Sequence, residues 1–428
     1  MALGRRGFLK AAAGVTSAVG LTALAGCASS CPDSDPPDPA EQVSIDAEPV
    51  GPFSDPPEGR WPAVRGDSAN TGFSTGQLPS AHLELRWRAD LDIPTEDGVG
   101  VVASAPVVDD EQVYVADSTR VHARSLRTGE PRWEFGPLPV TEIPSYSHRA
   151  KTIAPRLGPD GQVFVGTEDG LVVLDATDGT VRWRDDAMQA VAPPAVTGAG
   201  VYVQGAESVR ALELDGTPRW NRAVEADGEQ YQPAATSRAV LFRLADGIEA
   251  RDPETGERLW HRSIRPESAP VLDGGTCIVG TTDGLVGLAA RSGTEQFRYT
   301  RGDYLALQSP VVTPETIYAV EQPPEAGAAA FALSRAADGL KPRWCSAIGD
   351  GAMAAATSEH ALTSTSVGTG PEAGRGIVAF TTDSGAVPWA VVGGGRSDTW
   401  TNPPAILDGV LIVSTRGGRI VAVSGTER

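Results

Sequence analysis

An all-β fold, an eight-bladed propeller of four-stranded antiparallel blades, is predicted by two features of the chain. One pattern recurs in eight segments, and a short apolar run lies upstream of each. The clearest copies are ARDPETGERLW (Ala250–Trp260) and VLDATDGTVRW (Val173–Trp183). The others begin at Ala123, Ala211, Gly287, Ala332 and Ala379, and the last, AVSGTER (Ala422–Arg428), stops where the sequence stops. A period of roughly 40–50 residues with several short strands per period is the signature of a propeller. A single core rarely grows beyond about 250–300 residues, but a repeat array escapes that bound because each unit buries its apolar face on its neighbours.

The N-terminal segments come first. Arg5-Arg6-Gly7-Phe8-Leu9-Lys10 resembles the twin-arginine export signal, which carries folded proteins across a membrane. The apolar stretch Ala11–Leu24 is too short and too rich in Ala and Gly for a spanning helix. Leu24-Ala25-Gly26-Cys27 resembles a lipobox, which implies cleavage after residue 26 and a lipid on Cys27. Together they predict a signal peptide over 1–26 and attachment to the outer face of the cytoplasmic membrane. Residues 27–59, rich in Pro, Asp, Ser and Glu, read as a disordered tether holding a 60–428 domain off the membrane.

Within a unit, four strands are expected. In the second unit they are Ile153–Leu157, Gln162–Gly166, Leu171–Asp175 and Thr180–Arg184, joined by Asp-Gly turns in which glycine supplies the positive φ. The outer strands end on Trp133, Trp183, Trp220, Trp260, Phe297, Trp344 and Trp389. An earlier aromatic, Trp87 in LELRWRAD, has an outer-strand sequence but no inner strands before it. The last unit has three strands and no outer one. Leu83–Asp90 therefore completes the last blade and closes the ring, removing an exposed edge.

The chain carries 36 basic and 55 acidic residues, a formal charge of −19, and only three of its bases are lysine. Such an acidic surface argues against nucleic acid as a partner and suits concentrated salt, in a halophilic source. Cleavage after residue 26 removes Arg5, Arg6 and Lys10 and no carboxylate, which leaves the chain more acidic still.

The pattern A-x-D-x-x-T-G-x-x-x-W, matched in full by Ala250, Asp252, Thr255, Gly256 and Trp260, resembles the tryptophan-docking motif of pyrroloquinoline quinone (PQQ) dehydrogenase-type propellers. The opening WPAVRGDSANTGFS (Trp61–Ser74) is similar to that family's first motif. The resemblance covers residues 60–428. It implies the eight-bladed fold and leaves activity open, because the repeats serve quinone enzymes and also non-catalytic lipoproteins of outer-membrane assembly. The eight aromatics read as structural, each between two blades and packed on a neighbouring alanine. Arg65-Gly66-Asp67, an adhesion tripeptide elsewhere, belongs here to the opening motif.

The quinone enzymes of this fold carry adjacent cysteines and a calcium site of Glu and Asn with a catalytic Asp. Here Cys27, Cys31, Cys277 and Cys345 include no adjacent pair, and no such calcium set aligns. No catalytic residue and no metal site are expected, because the five histidines lack ligand spacing. Cys277 and Cys345 read as two buried thiols rather than a bridge. The expected function is a monomeric binding scaffold for envelope or extracellular proteins. The alternatives are a sugar or alcohol dehydrogenase using PQQ and calcium, and a carbohydrate- or polymer-binding module.

Any ligand or partner is expected on the face carrying the outer-to-inner loops, where propellers place variable segments. These loops bring Tyr146, His148, Arg149, Lys151, Tyr231, Arg301, Asp303, Tyr304, Arg396, Asp398 and Trp400, the aromatic-plus-arginine composition of binding hot spots. Polymer binding would fall to Tyr146, Tyr304 and Trp400.

Overall fold

The computed structural model describes residues 38–92, 103–117, 119–138, 154–189, 191–225, 231–300, 309–322, 328–336, 339–349, 351–367, 374–394 and 401–426. Every regular element among them is a β-strand, and the strands form eight sheets. Blades 1 to 7 are consecutive antiparallel sheets over Val107–Phe135, Arg156–Asp185, Ala195–Ala223, Ala234–Arg262, Val271–Thr300, Val311–Ala347 and Gly351–Val392. The second blade consists of Arg156–Leu157, Gln162–Thr167, Gly170–Asp175 and Val181–Asp185, within a few residues of the expected strands. Blade 8 has three strands from the C-terminus, and Leu83–Asp90 pairs antiparallel with Arg419–Gly425 as its fourth. The ring closes as the sequence predicts.

Register explains the repeated pattern. In each blade the outer aromatic lies opposite a small or β-branched third-strand residue, as in Ala123↔Trp133, Ala250↔Trp260 and Ala422↔Trp87. The same row continues inward through Tyr114 to Val107 in blade 1, and through Leu241 to Ala234 in blade 4. Directly paired residues share a sheet face. Each blade therefore presents one apolar row to its neighbour.

In six of the eight rows the indole N–H crosses to the next blade. Trp87 donates to the Leu126 carbonyl at 2.9 Å, Trp133 to Ala176 at 2.7 Å, Trp183 to Leu214 at 3.2 Å and Trp220 to Pro253 at 3.0 Å. Trp260 donates to Ala290 at 2.7 Å and Trp344 to Thr382 at 3.2 Å. The acceptors sit in the turn before each outer strand. That turn is built by the motif's aspartate: Asp252 Oδ1 accepts the N–H groups of Glu254 and Thr255, each at 3.0 Å. The ring packs on the turn glycine rather than on an alanine. Gly256 has φ +68°, and a Cβ there would lie 2.5 Å from Trp220 Cδ2. Only glycine satisfies both constraints. Gly256→Ala should cost roughly 2–4 kcal/mol, from left-handed strain plus overpacking. Gly274→Ala has φ +53° but nothing within 4 Å, so it should cost the strain alone. Equal urea midpoints for the two variants would remove the packing role.

Phe297 has no N–H, and the blade it faces departs in step. There the third and fourth strands extend to Ala329–Ala336 and Gly339–Ala347, and Leu340 joins Phe297 in the core.

The segment ahead of the blades is the main departure from the sequence reading. The disordered tether expected over 27–59 gives way, from Glu41 on, to ordered chain. Glu41–Ser44 adds a fifth, parallel strand outside Trp389–Val392 of blade 7. Val50 and Gly51 then donate to Leu85 and Arg86 of blade 8, and Phe53 donates to Arg127 of blade 1. The Arg86 guanidinium lies 5.1 Å from the Phe53 ring centroid. Val43, Ile45 and Phe53 are buried apolar anchors spaced through a polar run, which is why low average hydrophobicity did not leave it loose. This strap covers the seam where the chain ends meet.

Cys277 is a free, fully buried thiol, whereas Cys345 is disulfide-bonded and the two are not joined. The sequence predicts two free thiols. The difference lies in Cys345's outer strand, which is only partly buried and so within reach of a partner. Burial pushes the Cys277 thiol well above its ordinary range. It should resist iodoacetamide at pH 8 in the native protein and react after unfolding; rapid native alkylation would refute that.

Candidate functional site

Residues 58–77 run once around the ring axis and touch the inner strand of every blade in order. Trp61 exchanges backbone hydrogen bonds with Val108 of blade 1, at 2.8 and 2.9 Å. Pro62 accepts from Leu157 of blade 2 at 2.9 Å, and the Ser68 hydroxyl donates to Val196 of blade 3. Ser68 O accepts from Ala235 of blade 4 at 2.7 Å. Ala69, Thr71 and Gly72 accept from Leu272, Val312 and Ala356 of blades 5, 6 and 7, each at 2.8 Å. The loop shuts on blade 8, where Glu58 O accepts from Asp408 at 3.0 Å and Gln77 O from Gly409 at 2.8 Å. The partners all lie at the end of the inner strand that leads into the first hairpin. The circuit therefore seals the base of the channel, opposite the face with the outer-to-inner loops.

Its turn is held by Asp67 and Asn70. Asp67 Oδ1 accepts the N–H groups of Ala69 and Thr71 at 3.0 Å, and Oδ2 accepts the Thr71 hydroxyl at 2.6 Å. Asn70, fully buried at φ +64°, donates to the Pro233 and Pro270 carbonyls at 3.2 and 3.1 Å. Arg65 Nε donates to Asn70 O at 3.1 Å, and Nη2 to Pro310 O. With its carboxylate used in this turn, Arg65-Gly66-Asp67 works as an internal brace.

Arg156, from the inner strand of blade 2, reaches the same floor and is 1% exposed. Burial, followed by the opposing effect of Asp67 and a smaller unfavourable one from Arg65, lowers its guanidinium to about 9. Burial likewise lowers Arg65 to about 10. Neither arginine's role at the axis is legible in the sequence, because the two-to-three-residue inner strands carry too little pattern to fix their register. The one signal was a charged residue where the other units carry small apolar ones.

Of the residues expected to form the binding face, Tyr231 is described. The Arg243 guanidinium carbon stands 3.6 Å from its ring centroid, a cation–π contact. Beside Arg243 is a cleft of about 480 Å³ between blades 4 and 5, lined also by Asp246, Arg265 and Glu267. His261 Nε2 lies 3.0 Å from Asp246 Oδ1 at its edge. Tyr146, His148, Arg149, Lys151, Arg301, Asp303, Tyr304, Arg396, Asp398 and Trp400 lie outside the described residues, as does Cys27. A second cleft, about 490 Å³, opens on the base between blades 1 and 2 and is lined by Asp109, Asp110, Glu111 and Asp160 with Arg60 and Arg132. Among the described residues no group of three or more His, Cys, Asp or Glu could hold a metal ion.

A family model described as outer membrane protein assembly factor BamB matches residues 145–341 and 245–390, together more than half of the chain. The chain belongs to the PQQ-like propeller family. Relatives of this PQQ-like propeller include the serine/threonine-protein kinase AfsK of Streptomyces griseus, 33% identical over 132 residues, 29% of this chain and 16% of the kinase. The quinohemoprotein alcohol dehydrogenase of Comamonas testosteroni is 28% identical over 207 residues, 47% of this chain and 25% of that enzyme. BamB of Xanthomonas campestris is 27% identical over 279 residues, 50% of this chain and 68% of BamB. The PQQ-like propeller thus spans a quarter or less of the first two. Among solved structures, BamB from Moraxella catarrhalis gives a TM-score of 0.55 at 16% identity, over 81% of this chain and 99% of that one. Saccharomyces cerevisiae Sqt1 gives 0.60 at 10% identity, over 80% and 99%. These likenesses establish the fold.

Proposed function

We propose that this PQQ-like propeller is a lipid-anchored, extracytoplasmic scaffold that binds other envelope proteins without catalysis. The observation that carries the reading is the sealed base. The chain's own residues 58–77 occupy the inner strands at that end, leaving the outer-to-inner loops as the face on which the blades differ. A propeller supplies a rigid frame for such loops. The relationship to an outer-membrane assembly factor favours protein partners. The twin-arginine pair, the lipobox and Cys27 favour export of the folded domain and anchoring outside the cytoplasmic membrane, and the acidic surface favours a salt-rich setting.

Cross-linking in intact cells, followed by purification from the membrane fraction, tests the scaffold. Envelope proteins should be recovered with the wild type and lost with Tyr231→Ala combined with Trp400→Ala. Equal recovery with the variant would sink the assignment to this face. Cys27→Ser should move the protein from the membrane to the soluble fraction, and retention on the membrane would remove the anchor. The partial match to a quinohemoprotein alcohol dehydrogenase supports a second reading, oxidation of a sugar or alcohol with PQQ and calcium. Dye-linked oxidation on adding both would establish that reading in place of the scaffold.

A further inference from the structure

Arg156 breaks a rule that the other blades keep. Its register position, opposite Phe164, is filled elsewhere by Val107, Ala195, Ala234, Val271, Val311, Ala355 and Ala405. A single cation thus stands in a ring of valine and alanine beside the axis. Nη1 donates to the Asp67 backbone carbonyl and Nη2 to Asn70 Oδ1, both at a long 3.4 Å, and Nε has no partner. The local carboxylate, Asp67, spends its oxygens on Ala69 and Thr71 and makes no ion pair with either guanidinium. Among the described residues, two arginines therefore share one aspartate at this floor, an excess of positive charge. Arginine stays protonated in proteins, so the charge is not relieved by proton loss. Buried charges are otherwise paired, because desolvation without a counter-charge is costly.

We propose that the channel floor beside the Arg156 guanidinium binds a small anion, a halide or a compact oxyanion. The ion would accept from Nε and balance the excess charge of the Arg65–Asp67–Arg156 group. It would also tie blade 2 to the circuit.

The test uses the purified chain in two measurements. In the first, crystals are soaked separately in bromide and in selenate, and anomalous maps are computed. A peak beside Arg156 from either ion supports the site, with the ion that gives it naming the class; no peak there from either overturns it. In the second, melting temperature is followed at constant ionic strength while gluconate is replaced by chloride or by sulfate. The wild type should show a saturable rise with one of them, and Arg156→Met should show none. Parallel rises in both proteins would mean general salt stabilisation and would reject the site. If Arg156→Met does not fold, the anomalous maps decide.

Discussion

A chain that begins at Leu78 loses cooperative unfolding of the ring. That truncation removes the strap over the seam and the whole circuit of residues 58–77. The N–H groups of Val108, Leu157, Ala235, Leu272, Val312, Ala356, Asp408 and Gly409 lose their partners together. A buried group left without its hydrogen bond costs about 1–3 kcal/mol. Even with water reaching some of them, the total rivals the roughly 5–15 kcal/mol by which a folded domain is stable. Trimming only to residue 57 keeps the circuit and should leave a single transition at a lower temperature. Calorimetric scans of the two truncations decide. A sharp, wild-type-like transition for the chain from Leu78 would mean that the circuit is a passenger.

Trp389→Ala is expected to cost about 3–5 kcal/mol, the range for deleting a large buried aromatic. Trp389 is 1% exposed, and its indole donates at 2.7 Å to Pro79 rather than to a turn in the next blade. No continuous hairpin stands there, because in blade 8 the last two strands come from opposite ends of the sequence. Gly425 lies against the Pro79 ring, and Thr426 donates to His82. The docking contact thus holds two chain ends as well as two blades. Trp183 is the control, since it is less buried and its bond is 3.2 Å. Trp183→Ala should cost less, and a reversed order of urea midpoints would show that the seam has no special dependence on its tryptophan.

The blades were legible because their cause is local and repeated. A small residue opposite a tryptophan, an aspartate turning the chain and a glycine accepting the neighbour's ring recur at fixed spacing, so one copy explains the rest. The closing strand could be inferred because Leu83–Asp90 had an outer-strand sequence without a blade. The strap and the circuit were not legible. They touch each blade once, so they have no period, and their polar composition imitates a tether until Ile45 and Phe53 are seen buried. Arg156 is hidden in the sequence for a related reason: its oddity shows only once the eight inner strands are placed in register. Of the expected binding face, Tyr231 alone falls within the described residues, and loops are where sequence patterns say least.

The circuit of residues 58–77 also acts as a gauge. It bonds to every blade in turn and returns to its starting point at Asp408–Gly409 of blade 8. A ring of seven would leave a station idle and keep the ends from meeting, and a ring of nine would leave a gap too wide to span. Six of the eight rows dock by one local tryptophan contact that would be the same in a ring of any number, so that contact cannot count blades. A short run of chain that must visit each blade once can, and it gives this propeller a means of measuring its own circumference.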